Sequence, residues 1–220
     1  MLKPRAYAQL IRLPNLFTAA ADPLAGWFIA GGMVPVIWPV GASVCLYAAG
    51  MVFNDCFDYA TDCRERPERP LPRGEIGRGI AWTLGVMLMA AGLALAWNAG
   101  AGTFRVAAAL AVLILIYDGV RKLPGLMGAC RGLNMLLGMN APALLWPPLA
   151  LGLYVTVVTL VARREVAVPA TRVWVKRLLL GIIVLDAAMV FAVTGNAGSA
   201  AIVLSLLVPA ALLGRILAMT

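Results

Sequence analysis

The stretch VIWPVGASVCLYAAGMVF, residues 36–53, runs directly into NDCFDYATD, residues 54–62, and this join decides the fold. The first part contains no charged residue, and as an α-helix it is nearly long enough to cross the roughly 30 Å of hydrocarbon in a bilayer. A helix that is apolar on every face must be buried in protein or in lipid. The stretch therefore predicts a transmembrane helix that ends in a cluster of carboxylates.

The composition extends this prediction to the whole chain. Of 220 residues, 62% are hydrophobic and 13% are charged, whereas soluble domains carry about 25% charged residues. We therefore expect one all-α domain over residues 1–220, a polytopic transmembrane helical bundle of about eight spans with lipid as its solvent. The predicted spans are Asn15–Met33, Val36–Phe53, Ile80–Trp97, Phe104–Tyr117, Gly125–Leu145, Pro148–Val161, Val173–Val193 and Ala197–Met219.

The cations lie on alternate connectors. A formal net charge of +8 would suggest a nucleic-acid partner in a soluble protein, but here it follows the positive-inside rule and predicts none. We expect both termini and the polar connectors on the cytoplasmic side of an integral membrane protein, in a bacterial inner membrane. The cations that define this side are Lys3, Arg5, Arg12, Arg64, Arg66, Arg69, Arg73, Arg78, Arg121, Lys122, Arg163, Arg164, Arg172, Lys176 and Arg177, with Arg105 the main exception.

The acidic stretch predicts a metal site. At 100° per residue, Asn54, Asp55, Asp58 and Asp62 fall within an arc of about 100° on one helical face. Three carboxylates on one face repel one another near a membrane unless a cation neutralises them. Oxygen ligands favour hard ions such as Mg²⁺, which commonly bridges a few carboxylates to substrate phosphates. The pattern indicates a Mg²⁺ site that takes a diphosphate.

A basic run follows directly. Arg64, Arg66, Arg69 and Arg73 supply planar donors that suit phosphate oxygens. The acidic face and the basic loop would then hold one anion between them. The alternative is a solvated helix end followed by an ordinary positive-inside loop, which does not explain why both features are adjacent.

The pattern N-D-x-x-D-x-x-x-D at 54–62, followed by R-P-L-x-x-G at 69–74, resembles the UbiA superfamily of intramembrane prenyltransferases. The resemblance continues in Arg12-Leu-Pro-Asn15 and in Tyr117 followed by basic residues, and it covers roughly residues 12–165. It implies that Asp55, Asp58 and Asp62, with Asn54, hold Mg²⁺ on an isoprenoid diphosphate. It also implies phosphate contacts from Arg69, Arg121 and Lys122. The full predicted substrate set is Asn15, Asn54, Arg69, Tyr117, Arg121, Lys122, Arg131, Asn134 and Glu165.

The sequence departs from the family pattern after the sixth span. Members usually carry a second Asp-rich motif there, but this chain reads Val161-Ala-Arg-Arg-Glu165, so only Glu165 could stand in for it. Eight spans are one fewer than is common in the family. The stretches Asp22-Pro-Leu-Ala-Gly26 and Gly128-Ala-Cys-Arg-Gly-Leu-Asn134 resemble the EboC-like branch.

Charged residues also lie within the predicted spans. Asp22, Arg131 and Asp186 each lie about ten residues past a cytoplasmic cation, or about 15 Å deep at 1.5 Å per residue. A lone charge at that depth costs about 2.5–3.5 kcal/mol, so we expect Arg131 to pair with one or both aspartates. The pair either fixes helix packing or orients an acceptor. Asn134, one turn beyond, could share the cavity, and Asn15 either reaches the phosphate region or caps its helix.

Three functions compete on these grounds. The favoured one is Mg²⁺-dependent transfer of a prenyl group from an isoprenoid diphosphate to an acceptor that the sequence does not identify. The second is a non-catalytic isoprenoid-binding or lipid-translocating protein, which the missing second motif allows. A small transporter is the third, although the chain lacks the internal symmetry that such folds commonly have. No protein partner is implied by any segment.

Overall fold

The computed structural model describes residues 3–140, 144–163 and 171–217, and every regular element within those ranges is a helix. The all-α prediction is confirmed. In chain order the helices are α1 (Pro4–Leu10), α2 (Leu13–Ile29), α3 (Ile37–Phe57), α4 (Tyr59–Glu65), α5 (Arg78–Ala99), α6 (Ala101–Gly119), α7 (Pro124–Met139), α8 (Trp146–Ala162), α9 (Thr171–Thr194), α10 (Ala197–Ser205) and α11 (Leu207–Leu213).

Each predicted span corresponds to one helix, except the last, which corresponds to two. The eighth predicted span is divided at Leu206 into α10 and α11. Within the described part of the chain, four helical segments are long and apolar enough to cross a bilayer by length and composition: α3, α5, α6 and residues 173–194 of α9. Helices α2 and α7 are shorter and carry the buried charged residues Asp22 and Arg131, so the count of eight spans stays a prediction.

We predicted that the acidic stretch forms one face of a single helix, but the structure divides this stretch between two helices. Helix α3 ends at Phe57, Asp58 joins it to α4, and Asp62 lies in the first turn of α4. The break is slight, because the Asp58 N–H donates to the Asn54 carbonyl at 2.9 Å and the Asp62 N–H donates to the Asp58 carbonyl at 2.8 Å. Both are helical i to i−4 bonds, so the polar side chains keep nearly the predicted face.

The bundle has two main apolar cores. One lies among α2, α7, α8 and α9, and the other among α3, α5, α6 and α7. Helix α7 belongs to both cores, and it can lie close to α2 because Gly138 has no side chain. A Cβ added at Gly138 would be 1.9 Å from the Pro23 carbonyl oxygen. Small residues at such crossings are typical of membrane bundles.

Large apolar side chains cover the outside of the bundle. Met87 on α5, Leu149 and Leu153 on α8 and Val208 on α11 are each at least 61% exposed. A soluble monomer rarely exposes so much contiguous apolar surface. The observed surface is that of a protein embedded in lipid, which agrees with the composition.

Candidate active site

The polar side chains predicted from the sequence meet at one end of the bundle, where α3 gives way to α4. Asp55 and Asp62 are buried, whereas Asn54 and Asp58 are half-buried. Three connectors bring cations to them: the turn before α2, the loop between α4 and α5, and the link between α6 and α7. We call Asn54, Asp55, Asp58 and Asp62, together with the cations Arg12, Arg69 and Lys122, the mouth cluster.

The loop after α4 holds the first pair of carboxylates. Arg69 Nη1 donates to Asp62 Oδ2 at 2.7 Å and lies 3.2 Å from Asp55 Oδ1. The loop is anchored because Leu71 and Ile76 are buried against the apolar residues of α1, α3 and α5. Arg69 is therefore fixed in place by the fold of its own loop.

A second cation reaches Asp55 from the start of α2. Arg12 Nη2 lies 3.5 Å from Asp55 Oδ1. Arg12 has a positive φ of 50°, in the left-handed region that only a few per cent of non-glycine residues adopt. Such strain tends to be kept where the surrounding structure needs it. Here it lies between α1 and α2, at the residue whose guanidinium reaches the acidic face.

Lys122 holds the other pair of oxygen donors. Its ammonium donates to Asn54 Oδ1 at 2.8 Å and also forms a short ion pair with Asp58 Oδ2. Arg163, at the end of α8, donates to the Lys122 backbone carbonyl. The end of α8 and the connector after α6 therefore meet at the same mouth as the acidic face.

The remaining predicted residues have different outcomes. Tyr117 lines the cavity described below. Arg121 is exposed, and no hydrogen bond or ion pair within the described ranges joins its side chain to the mouth cluster. Asn15 is buried near the start of α2. Glu165, the predicted substitute for the second motif, lies outside the described residues.

Sequence reasoning missed one carboxylate, Asp118. It lies in the last turn of α6, is 8% exposed, and lines the cavity. Its charge interacts with those of Lys122, Asp58, Arg12 and Asp55. The only sequence signal was its place beside Tyr117 and the basic pair, because no helical spacing relates it to the acidic face of α3.

An apolar cavity opens between α3, α6 and α7 beside the mouth cluster. Its volume is about 50 Å³, and the empty space rises to about 470 Å³ when the region open to solvent is counted. Most of its walls are apolar; the polar or aromatic lining residues are Tyr47, Tyr117, Asp118, Cys130, Arg131 and Asn134. The lining runs from Asp118, whose charge interacts with those of the mouth cluster, to Arg131 and Asn134 of the interior. Such a cavity suits a ligand with an anionic head and an apolar body.

The charged residues of the interior meet as predicted. Arg131 Nη1 lies 3.0 Å from Asp22 Oδ2, and Arg131 Nη2 donates to Thr18 Oγ1 at 2.9 Å. Asn134 donates to the same Asp22 oxygen at 2.7 Å and to the Ala19 carbonyl at 2.9 Å. We call Thr18, Asp22, Arg131, Asn134 and Asp186 the deep cluster.

Asp186 of α9 is fully buried and completes the deep cluster. Its charge interacts with those of Asp22 and Arg131. Within the described ranges neither of its carboxylate oxygens accepts a hydrogen bond. Arg131 is thus paired directly with one aspartate and not with both.

The mouth cluster can be tested for its fit to a metal ion. Within the ranges 3–140, 144–163 and 171–217, no three His, Cys, Asp or Glu side chains converge closely enough to hold an ion by themselves. Instead the oxygen donors form two pairs, Asp55 with Asp62 and Asn54 with Asp58, and one cation bridges each pair. Mg²⁺ is usually bound by one or two carboxylates together with substrate phosphates. The donor set fits that mode of binding.

A family model for the UbiA prenyltransferase family matches residues 14–219 of this chain. The chain belongs to the UbiA prenyltransferase family. That assignment agrees with the resemblance seen in the sequence, whereas the EboC-like branch stays a prediction. A digeranylgeranylglyceryl phosphate synthase from Sulfolobus acidocaldarius is 34% identical over 129 residues, or 56% of this chain and 46% of that protein. One from Ignicoccus hospitalis is 36% identical over 127 residues, or 57% of this chain and 42% of that protein.

Solved UbiA structures share the fold. A UbiA homologue from Archaeoglobus fulgidus, solved with GPP and Mg²⁺, has a TM-score of 0.66 and is 14% identical, with 96% of this chain and 86% of that chain covered. A chain from work on digeranylgeranylglyceryl phosphate synthase in membranes has a TM-score of 0.64 and is 20% identical, with 98% of both chains covered. At these identities the likeness concerns the fold alone. This UbiA family chain spans less than half the length of the curated relatives it matches.

Proposed function

We propose that this chain transfers a prenyl group from an isoprenoid diphosphate to a lipophilic acceptor within the membrane, with Mg²⁺ as its cofactor. The observation that carries the proposal is the arrangement of the mouth cluster. Four oxygen-donating side chains and the cations Arg12, Arg69 and Lys122 lie where an apolar cavity opens. An anionic head and an isoprenoid tail need those two environments side by side.

The oxygen donors of the mouth cluster would hold the ion. Asn54 and Asp58 form one edge of the site, and Asp55 and Asp62 form the other. Bound Mg²⁺ stabilises the negative charge that develops on the departing diphosphate. The ammonium of Lys122, which is 33% exposed, is free to move from these oxygens to a phosphate because its stem is long and flexible.

The chain's own cations act on the leaving group. The bond between C1 of the prenyl group and the diphosphate oxygen breaks, and its electron pair stays on the diphosphate. Arg69, Arg12 and Lys122 lie where they can donate to the oxygens that gain this charge. The acceptor's nucleophilic atom then forms the new bond to C1 and releases its proton.

The cavity protects the cation formed at C1. Met51, Leu110, Ile114 and Met127 contribute apolar walls, so water that would quench an allylic cation is largely excluded. Tyr117 lies in the wall close to the mouth cluster, where the face of its ring can stabilise positive charge. The deep cluster at the other end offers polar groups to an acceptor.

The names of the relatives suggest a first choice of acceptor. Because several relatives are named digeranylgeranylglyceryl phosphate synthase, a glycerol phosphate lipid is the acceptor to test first. The relatives are archaeal, so they lend no support to a bacterial inner membrane. The cytoplasmic orientation of the mouth cluster rests on the distribution of cations.

Diphosphate release tests the proposal. The purified protein in detergent is incubated with isoprenoid diphosphates of increasing length, with and without Mg²⁺ and candidate acceptors. We expect Mg²⁺-dependent release that falls at least about a hundredfold in Asp58→Asn, because Asp58 would hold the Mg²⁺ that stabilises the charge developing on the diphosphate. Glu65→Gln is the matched control, because Glu65 is an exposed carboxylate on the neighbouring α4. It should release diphosphate at the wild-type rate.

The same samples distinguish the non-catalytic alternative. Mg²⁺-dependent binding of the isoprenoid diphosphate, without release under any acceptor, would show a lipid-binding protein in place of an enzyme. The absence of the second Asp-rich motif favours that outcome, because the usual ligands for a second ion are missing from residues 161–165 apart from Glu165. Loss of both binding and release would overturn both functions.

A further inference from the structure

Asp118 lies near the mouth cluster but, unlike the carboxylates of that cluster, forms no ion pair among the described residues. Asp55 has Arg12 and Arg69 within ion-pair distance, Asp62 has Arg69, and Asp58 has Lys122. Within residues 3–140, 144–163 and 171–217, no cation forms an ion pair with Asp118 and no group donates a hydrogen bond to its carboxylate. Yet Asp118 is more than nine-tenths buried.

The burial of such a carboxylate is costly unless something compensates its charge. An ionised group taken out of water without a partner costs several kcal/mol. Lys122 is the charged neighbour that acts most strongly on Asp118 and attracts its carboxylate from beyond ion-pair distance, whereas the like charges of Asp58 and Asp55 repel it. Its side chain lines the cavity, so the space in front of it is where a ligand would enter.

The position of Asp118 relative to α3 is held by packing. A Cβ added to Gly119, the next residue, would be 3.2 Å from the Phe57 ring, so the end of α6 lies closely against the end of α3. Lys122, which is four residues after Asp118, forms an ion pair with Asp58. The end of α6 therefore brings Asp118 close enough to the end of α3 for its charge to interact with those of Asp55 and Asp58.

We propose that Asp118 is an additional ligand for a divalent cation, which it holds together with Asp58 and the diphosphate of the substrate. This inference rests on the proposed function. Mg²⁺ commonly takes one or two carboxylates and completes its shell with phosphate oxygens and water. An ion between α3 and α6 would compensate Asp118, and it would replace the ammonium of Lys122 beside Asp58.

The assignment answers the question raised by the missing second motif. This chain offers only Glu165 where relatives of the superfamily are expected to carry several carboxylates. Asp118 supplies a buried carboxylate from another helix at the same mouth. The second ligand set would thus come from the end of α6 and not from the segment after α8.

Manganese binding tests this directly, without any turnover. Mn²⁺ is titrated into the wild-type protein in detergent, with and without inorganic diphosphate, and free Mn²⁺ is measured by electron paramagnetic resonance. In Asp118→Asn we expect one diphosphate-dependent Mn²⁺ site to be lost or weakened by about tenfold or more, since even outer-shell partners of a metal contribute about 10–100-fold. Asp118→Glu, which keeps a carboxylate, should restore much of the binding.

The controls separate this inference from the proposed function. Glu65→Gln should bind Mn²⁺ as the wild type does. If the wild type binds Mn²⁺ with diphosphate and Asp118→Asn binds it with the same number and affinity, only the role of Asp118 is overturned. If the wild type binds no Mn²⁺ with diphosphate, the proposed function fails as well.

Stability decides the remaining case. The melting temperatures of Asp118→Asn and Asp118→Ser are measured without metal. Removing an uncompensated buried charge should leave them equal to or above the wild-type value. If neither variant folds, Asp118 is a structural residue and the proposal is wrong.

Discussion

The mouth cluster and the deep cluster both pair cations with carboxylates, but they do so with different side chains in different surroundings. At the mouth, Lys122 and Asp58 are 33% and 31% exposed, and the cations come from connectors. In the deep cluster, Arg131 is 6% exposed and Asp22 is fully buried, and both lie within helices.

This difference separates binding from architecture. Partly exposed pairs contribute little to stability, about 0–1 kcal/mol, so their partners can be exchanged for a ligand at small cost. A buried pair cannot lose one partner without leaving an uncompensated charge. We therefore expect substitutions in the partly exposed pair of Lys122 and Asp58 to change binding, and substitutions in the deep cluster to change folding.

The largest effect should follow from Arg131→Met. The substitution leaves Asp22 buried without its cation, and breaking a buried pair in this way costs about 3–5 kcal/mol. Unfolding in detergent, followed by circular dichroism, measures the loss. Arg105→Met is the control, because Arg105 is an exposed cation on α6 and its side chain, among the described residues, hydrogen-bonds to the Ala101 carbonyl of its own helix. If the Arg131→Met protein were as stable as the control, the deep cluster would not be needed for folding.

The close crossing of α2 and α7 should show the next largest effect. In Gly138→Ala the new methyl group would meet the Pro23 carbonyl at 1.9 Å and the Trp27 nitrogen at 2.7 Å. Forcing those helices apart also disturbs the contact from Asn134 to Asp22, and overpacking of this kind costs about 1–3 kcal/mol. The melting temperature is compared with that of Gly125→Ala, whose methyl group meets nothing within 4 Å. Equal stability of the two variants would show that the crossing is loose.

The smallest effect on stability should come from Lys122→Met. Its ion pair with Asp58 is partly exposed, so the free energy of unfolding should change by less than about 1 kcal/mol. Binding of an isoprenoid diphosphate should nevertheless weaken by about tenfold, which corresponds to about 1.4 kcal/mol. Calorimetric titration in detergent measures both affinities. A variant that is strongly destabilised but binds normally would reverse the roles of the two clusters.

The glycines of α7 show how far pattern alone could go. Gly125, Gly128 and Gly132 share a spacing that is typical of one packing face of a helix. In the structure Gly128 and Gly132 lie against Gly152 and Pro148 of α8, whereas Gly125 faces open space. The spacing therefore identifies the face of α7 that packs on α8. How far along α7 this contact extends depends on how the two helices cross.

The sequence by itself determined the features that depend on local geometry. The rotation of 100° per residue places Asn54, Asp55, Asp58 and Asp62 on one face, and even the break at Asp58 preserves that face. The depth of Asp22 and Arg131 follows from the rise per residue, and the cost of an unpaired charge in lipid then requires their pairing. Helix geometry and the bilayer act on each helix in the same way, whichever other helices it packs against.

Only the tertiary structure decided which residues meet across helices. Asp118 faces the acidic end of α3 because Gly119 packs on Phe57, and Lys122 reaches Asp58 because a short connector follows α6. Asp186 joins Asp22 from α9, although the two are far apart in the sequence. These meetings depend on how close-packed side chains allow the helices to cross, and no spacing along a single chain encodes that geometry.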